Sequence, residues 1–253
     1  MNDCIVVIPT YNELENVEAI IRKVFSLNHP FDLLIIDDGS PDGTAGVVKD
    51  LMKEFPGLHL VERKGKLGLG TAYIHGFKWA LEKGYNYIFE MDADFSHPPE
   101  DLIRLYNACA NEGHDVAVGS RYITGVNVVN WPINRVLMSY FAGYYVRTIT
   151  GMPIMDPTAG FICYTAKVLN TINLDNIRFI GYAFQIEMKF NSWKYGFSIT
   201  EVPIIFTDRT KGASKMSKGI FKEAIFGVIT LKINSYFKRY IPKHSAQKLP
   251  ANS

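Results

Sequence analysis

Cysteine is scarce in this chain. Cys4, Cys109 and Cys163 are the only three in 253 residues; odd in number and scattered, they form no Cys-x-x-Cys pair. Neither a disulfide framework nor a zinc site is indicated, and free thiols in a reducing cytosol are expected. Charge of one sign is also in short supply. A net charge of +2 gives no basis for a nucleic-acid partner, which asks for a strongly basic face. No uninterrupted apolar run approaches the roughly 20 residues of a spanning helix. The start enters Cys4-Ile5-Val6-Val7-Ile8 without the basic region, apolar core and cleavage site of a signal peptide. The expectation is a cytoplasmic protein that does not itself cross a membrane. Two nucleotide motifs are missing as well. There is no Gly-Lys-Ser or Gly-Lys-Thr of a P-loop, and Gly68-Leu69-Gly70 lacks the third glycine of a dinucleotide fingerprint and follows a strand that is not the first.

What is present is organised around Tyr87-Ile88-Phe89-Glu90-Met91-Asp92-Ala93-Asp94-Phe95-Ser96-His97-Pro98-Pro99. A strand-type apolar run leads into two carboxylates one residue apart, and two prolines then forbid further sheet pairing. Acids at the carboxyl end of a parallel strand face the crevice where open α/β sheets bind ligands. Hard oxygen ligands suit Mg²⁺ or Mn²⁺ held together with substrate phosphates. The competing reading is that Asp92 and Asp94 cap a helix starting near Glu100.

The rest of the chain, 47% hydrophobic and 21% charged, has the composition of one large α/β domain with a short appendage. Cys4–Ile8 reads as a buried first strand stopped by Pro9, with Asn12 as N-cap of a helix that turns Val17, Ile20, Ile21, Val24 and Phe25 inward. A second strand, Leu33–Ile36, ends in Asp37-Asp38-Gly39-Ser40-Pro41-Asp42-Gly43-Thr44. Turn chemistry explains the glycines and the proline; Asp37 or Asp38 is a candidate to accept hydrogen bonds from a base or ribose. After a strand at Leu58–Glu62, the Lys66 to Gly70 segment is expected to bring backbone and one cation to a bound nucleotide. A helix from about Glu100 to Asn111 precedes a strand, Asp115–Gly119, which delivers Arg121, suited by its fork to phosphate. Alternating strands and helices imply a mostly parallel sheet.

The second half is more aromatic. Trp131 to Arg147 reads as a core helix or as a helix lying in a membrane interface, the layer that Trp and Tyr favour. Asp156 sits in a turn, Glu187 on an apolar helix, and Thr200 to Phe206 reads as a strand. A basic loop, Arg209 to Lys215, is able to fold over phosphates. From Lys218 to Tyr240 an apolar stripe with recurring lysines reads as an amphipathic, surface-lying helix or as a helix packed on the domain, and the tail beyond His244 is expected to be disordered.

Taken together, Pro9-Thr10-Tyr11-Asn12-Glu13, the Asp37 to Thr44 turn, Lys66-Leu67-Gly68-Leu69-Gly70, Asp92 to Pro99 and Gly119-Ser120-Arg121-Tyr122 resemble glycosyltransferase family 2, and within it the polyprenol (dolichol) phosphate mannose synthases. The resemblance covers nearly the whole chain. It implies an α/β GT-A fold, Rossmann-like, over 1–215, including an interface helix at about 131–150, then amphipathic interface helices over 216–243 and a tail at 244–253. It implies inverting transfer of mannose from GDP-mannose to a polyprenyl phosphate, with Mg²⁺ or Mn²⁺, by an enzyme peripheral on the cytoplasmic face of a membrane, and leaves room for a small membrane-protein partner. Carried over by position, Pro9, Tyr11, Glu13 and Asp38 hold the nucleotide, with Lys66 and Ala93 also on the donor. Asp92, Asp94 and Ser96 hold the metal, Ser96 standing where some relatives carry Gln. Arg121, Arg135, Arg209 and Lys215 meet the diphosphate or the acceptor phosphate, with Ser139 on the latter. Asp94, Arg121, Asp156 and Glu187 form the catalytic set.

A phosphate monoester, with a second pKa of about 6, is already anionic near neutrality, so a general base is unnecessary, and Asp156 and Glu187 are expected to orient groups rather than take a proton. Three other readings stay open: a transferase of glucose or an amino sugar from a UDP-sugar to undecaprenyl phosphate, a non-catalytic sugar-nucleotide-binding accessory subunit, and a transferase acting on soluble glycans.

Overall fold

A computed structural model describes residues 2–181, 183–209 and 219–240. The first half alternates as expected: β1 (Cys4–Thr10), α1 (Val17–Phe25), β2 (Asp32–Asp37), α2 (Thr44–Leu51), β3 (Leu58–Glu62), α3 (Leu69–Glu82), β4 (Tyr87–Glu90), α4 (Asp101–Ala110) and β5 (Val116–Ser120). The second half holds β6 (Val128–Val129), α5 (Ile133–Thr150), β7 (Ile162–Thr165), α6 (Ala166–Thr171), a 3-10 turn at Leu174–Asn176, α7 (Ala183–Lys194), β8 (Ile199–Pro203), β9 (Phe206–Thr207) and α8 (Gly219–Phe237).

Seven strands form one sheet in the order β3-β2-β1-β4-β7-β5-β8, parallel at every pairing except the two made by β7. Because β1 feeds β2 on one side and lies against β4 on the other, strand order reverses beside β1, and a crevice opens past the carboxyl ends of β1 and β4. The near-continuous apolar strands are buried on both faces, as a covered parallel sheet requires. Val6, Ile8, Leu33 and Ile35 pack with α1, α2 and α4, while Ile5, Val7, Leu34 and Ile36 pack with α3, α6 and α7. A third cluster joins α5, α7 and α8 through Val146, Ile186, Phe190, Val228 and Leu231.

Several expectations need correction. Pro9 does not stop β1. The last β4 partner is Glu90 opposite Val7, so Pro9 lies past that ladder, where its missing N–H costs no sheet bond, while β2 still pairs as far as Thr10. Asn12 does not cap α1: it has a positive φ of 55°, and the helix begins only at Val17. Asp92 and Asp94 do not cap α4, whose first residue is Asp101. The single strand expected at Thr200 to Phe206 is two. β8 runs beside β5 to Pro203, and the chain then leaves the sheet so that Phe206–Thr207 pairs with Val128–Val129. Nor is α8 amphipathic. Val228 and Leu231 are buried against its neighbours, while Phe226, Ile229, Ile233, Tyr236 and Phe237 are exposed, so both sides are apolar. Among the described residues no helix is long and apolar enough to cross a membrane. The expected tail at 244–253 lies outside the described residues.

Candidate active site

A cavity of about 950 Å³ occupies the crevice. Its wall brings together Pro9, Tyr11, Glu13, Asp38, Lys66, Asp92, Ala93, Asp94, Arg121, Arg135, Ser139 and Arg209, residues drawn from seven separate stretches of sequence. Ser96, Asp156 and Glu187 are not on that wall, and Lys215 lies outside the described residues.

The two acids after β4 are held by their own loop. The Asp92 amide donates to His97 Nδ1 at 3.2 Å, and the Ser96 amide donates to Asp94 Oδ1 at 3.0 Å. Between them Phe95 takes a positive φ of 61°, a conformation uncommon for a bulky residue and one that concentrates at functional sites. His97 stacks on Phe161, ring centroids 5.0 Å apart, and burial drives its pKa down to about 4. It therefore stays neutral and able to accept. Burial, then the neighbouring Asp94, pushes Asp92 up to about 7: two carboxylates so placed resist double ionisation, and a divalent cation between them relieves the conflict. That observation makes the pair fit a hard metal ion. Ser96 meets Asp94 through its backbone, so its expected place as a third ligand has no side-chain contact behind it. Arg209 Nη2 lies 3.1 Å from Asp94 Oδ2.

The tandem acids after β2 take different parts. Asp37 accepts from Thr10 Oγ1, from the Ser40 amide and from Ser40 Oγ, which makes it the fastener of its turn. Asp38 faces the cavity and accepts from Arg63 Nε at 2.6 Å. Lys66 lies over the Tyr11 ring at 5.3 Å. Gly70 serves packing rather than ligand approach: a Cβ there would stand 2.8 Å from the Phe184 ring and 2.9 Å from the Phe179 carbonyl oxygen, while the Gly70 amide donates to Ile180 O.

Arg121, also on the wall, is gripped by Asp156. Its backbone N and Nε donate to Oδ2 at 3.0 and 2.7 Å, its Nη2 donates to Oδ1 at 2.7 Å, and Nη2 also donates to Thr158 Oγ1. Burial alone would raise the Asp156 pKa, but the Arg121 charge and its bonds outweigh it and hold the carboxyl below the usual range. Arg135 lies 4.1 Å from the centroid of Trp131 and donates to Asp208 at 2.8 Å, while Tyr122 OH donates to Ser139 Oγ at 2.8 Å. Glu187 sits one layer back, accepting the Arg178 and Phe179 amides at 2.9 and 3.1 Å. It clamps the segment whose next residues, Ile180 and Gly181, line the cavity.

Sequence reasoning missed Arg63, the His97 contact and Trp131. The Arg63 signal was within reach: β3 lies beside β2 with Glu62 opposite Asp37, so the next residue of β3 must stand beside Asp38. His97 carried no signal, because only the folded loop turns its ring under Asp92.

Known proteins resolve what such a site belongs to. Residues 5–172 match the model of glycosyl transferase family 2. The chain belongs to this family. A polyprenol monophosphomannose synthase of Mycolicibacterium smegmatis is 45% identical over 225 residues, covering 88% of this chain and 84% of that protein. An undecaprenyl-phosphate mannosyltransferase of Micrococcus luteus is 43% identical over 222 residues, covering 88% and 90%. Among solved structures, a mannosyltransferase from Pyrobaculum calidifontis in complex with GDP-Man and Mn²⁺ superposes with a TM-score of 0.58 at 15% identity, over 98% of this chain and 77% of that one. The family 2 chain is a glycosyltransferase with the GT-A fold of such neighbours, as the motifs implied.

Proposed function

We propose that this family 2 enzyme transfers mannose from GDP-mannose to a polyprenyl phosphate, with inversion and with Mg²⁺ or Mn²⁺ at Asp92 and Asp94. The observation that carries the reading is one cavity with two kinds of wall. Its wall combines a polar set, Asp38, Asp92, Asp94, Arg121, Arg135, Ser139 and Arg209, with an apolar set, Met138, Phe141, Ala142, Val146, Ile180 and Ile186. An anionic head with an apolar tail matches that combination of surfaces. The names of the two relatives support the same acceptor class.

Asp38 and Tyr11 would receive the nucleoside, and Asp92 and Asp94 the diphosphate through a divalent ion. Bound there, the ion would supply Lewis-acid stabilisation of charge on the leaving group. Arg209 stands beside Asp94 to share that task. Arg121 and Arg135 would hold the acceptor phosphate, with the Asp156 bonds fixing the Arg121 fork. No residue on the wall is needed as a base, since the phosphate oxygen is already charged near neutrality. Exposed Ile133, Tyr144, Phe226 and Phe237 on α5 and α8 would rest the enzyme on the cytoplasmic face of a membrane, where the acceptor's tail resides.

The test is transfer of radiolabel from GDP-[14C]mannose to a short polyprenyl phosphate, counted in the organic phase with Mn²⁺, with Mg²⁺ and with chelator. Label that depends on metal is expected. If UDP-glucose labels the lipid and GDP-mannose does not, the donor is wrong; if neither does, the acceptor reading fails.

A further inference from the structure

Two charged side chains that do not line the cavity hold the turn that carries Asp156. Glu201, on β8 opposite Val118 of β5, accepts the Met155 amide on Oε2 at 2.7 Å and the Asp156 amide on Oε1 at 3.0 Å. Lys189, on α7 and fully buried, donates from Nζ to the Ala159 carbonyl at 2.6 Å. Between these anchors lie Asp156, which makes three bonds to Arg121, and Thr158, which makes a fourth.

We propose that Glu201 and Lys189 are positioning residues for phosphate recognition, acting through the 155–160 turn and its grip on Arg121. The proposal rests on the function assigned to Arg121 above. A carboxylate is the group this geometry calls for, because each of its oxygens faces an N–H. A glutamine of the same size would set its own NH₂ against one of those N–H groups and leave a buried donor unpaired. The ammonium at the other end is equally specific. It pins a carbonyl that no apolar side chain could hold, and it lies close enough to Asp156 for each to bias the other's charge. The turn is thus fixed at both ends by ions, while Ala159 and Gly160 between them and α7 form part of the cavity wall. Backbone bonds alone would leave the Asp156 carboxylate free to rotate with its turn; charge-assisted bonds at both ends restrict it.

The experiment is a double-mutant cycle of Glu201→Gln with Arg121→Lys. It is read as mannosyl transfer and as binding of citronellyl phosphate, a short isoprenyl phosphomonoester. Alone, Glu201→Gln is expected to weaken acceptor use on the order of tenfold, with the KM for GDP-mannose unchanged. In the Arg121→Lys background the same change should cost less than about twofold, because the group through which it acts is already compromised. Equal losses in both backgrounds would show that Glu201 supports the fold generally and would overturn the proposal, as would loss of donor and acceptor affinity together. Should Glu201→Gln fail to fold, Lys189→Met takes its place in the cycle with the same expectation. Wild-type protein that binds neither phosphate nor lipid would sink the function reading; wild-type activity with additive effects would sink only the positioning role.

Discussion

The polar and apolar parts of the cavity wall are built by opposite means. On the polar part the ionisable groups are tied down: Asp38 by Arg63, Asp94 by the Ser96 amide and Arg209, Arg121 by Asp156 behind it. On the apolar part Met138, Phe141 and Val146 of α5 offer only hydrocarbon and ring surface. The contrast follows from what each part must recognise. A phosphate is distinguished by where its charges lie, so the donors that meet it are useful only if already oriented. A polyprenyl chain offers area without direction, and an apolar wall of the right extent is sufficient. Substitutions on the first part should therefore be judged by geometry, and on the second by area.

The sharpest way to break this contrast is at the metal acids. Asp94→Ala should lower kcat by about 10²- to 10³-fold, the scale seen when one preorganised stabilising group is lost, without lowering the thermal midpoint. Steady-state transfer to a short acceptor, paired with a melting curve, measures both. Near-normal turnover would remove Asp94 from the chemistry.

Next in size is Asp156→Asn. It leaves the buried Arg121 charge without its partner, and such breaks cost about 3–5 kcal/mol; acceptor use should fall at the same time. Because the folded-state pKa of Asp156 is depressed, its stabilisation is complete above the unfolded value near 4 and disappears as pH falls through the folded value. The difference in stability between wild type and variant should accordingly shrink on acidification, as followed by denaturant titration from pH 7 to pH 3. Raising the pH should not restore the variant's rate. A pH rescue would mean that Asp156 takes a proton.

A smaller effect is expected on the exposed face of α5. Ile133→Ser with Tyr144→Ser removes two exposed apolar groups from α5 that do not line the cavity. Flotation with anionic vesicles should weaken about tenfold, while transfer to a water-soluble short-chain acceptor stays unchanged. Loss of both together would mean that α5 shapes the site as much as it seats the enzyme.

How much of this was legible beforehand divides along the same line. The first five strands, α1 and α4, and the cavity-facing Asp38, Asp92, Asp94 and Arg121 could be read, because each of these residues follows closely on an apolar run that marks a strand; α2 was not named, and Pro9, Tyr11, Glu13 and Ala93 came only with the family resemblance. The antiparallel β7 was missed: Phe161-Ile162-Cys163-Tyr164 is a short apolar run following a turn, and nothing local tells that it inserts between β4 and β5. For α8 the recurring lysines looked like the polar face of an amphipathic helix. Only the packing of Val228 and Leu231 against α5 and α7 reveals that its other side is apolar too. The tandem acids Asp37 and Asp38 could be flagged but not told apart, since the choice between turn and cavity depends on Thr10 of the neighbouring β1 and on how the turn folds Ser40 back.

The smallest effect is expected at Glu187. The carboxyl accepts two backbone amides through one oxygen, Oε2, and stands behind the wall rather than on it. Burial raises its pKa, and the Phe179 and Arg178 amides only partly offset that. Glutamine presents a carbonyl oxygen of the same reach. Glu187→Gln should therefore keep kcat within about threefold and cost about 1 kcal/mol of stability. Glu187→Ala, which leaves both amides unpaired, should loosen Ile180 and Gly181 and raise KM. A proton-transferring residue would behave otherwise, because its amide replacement removes the transferable proton and typically costs about 10²- to 10⁴-fold. A loss of that size in Glu187→Gln, with KM unchanged, would move Glu187 from the frame of the site into its chemistry.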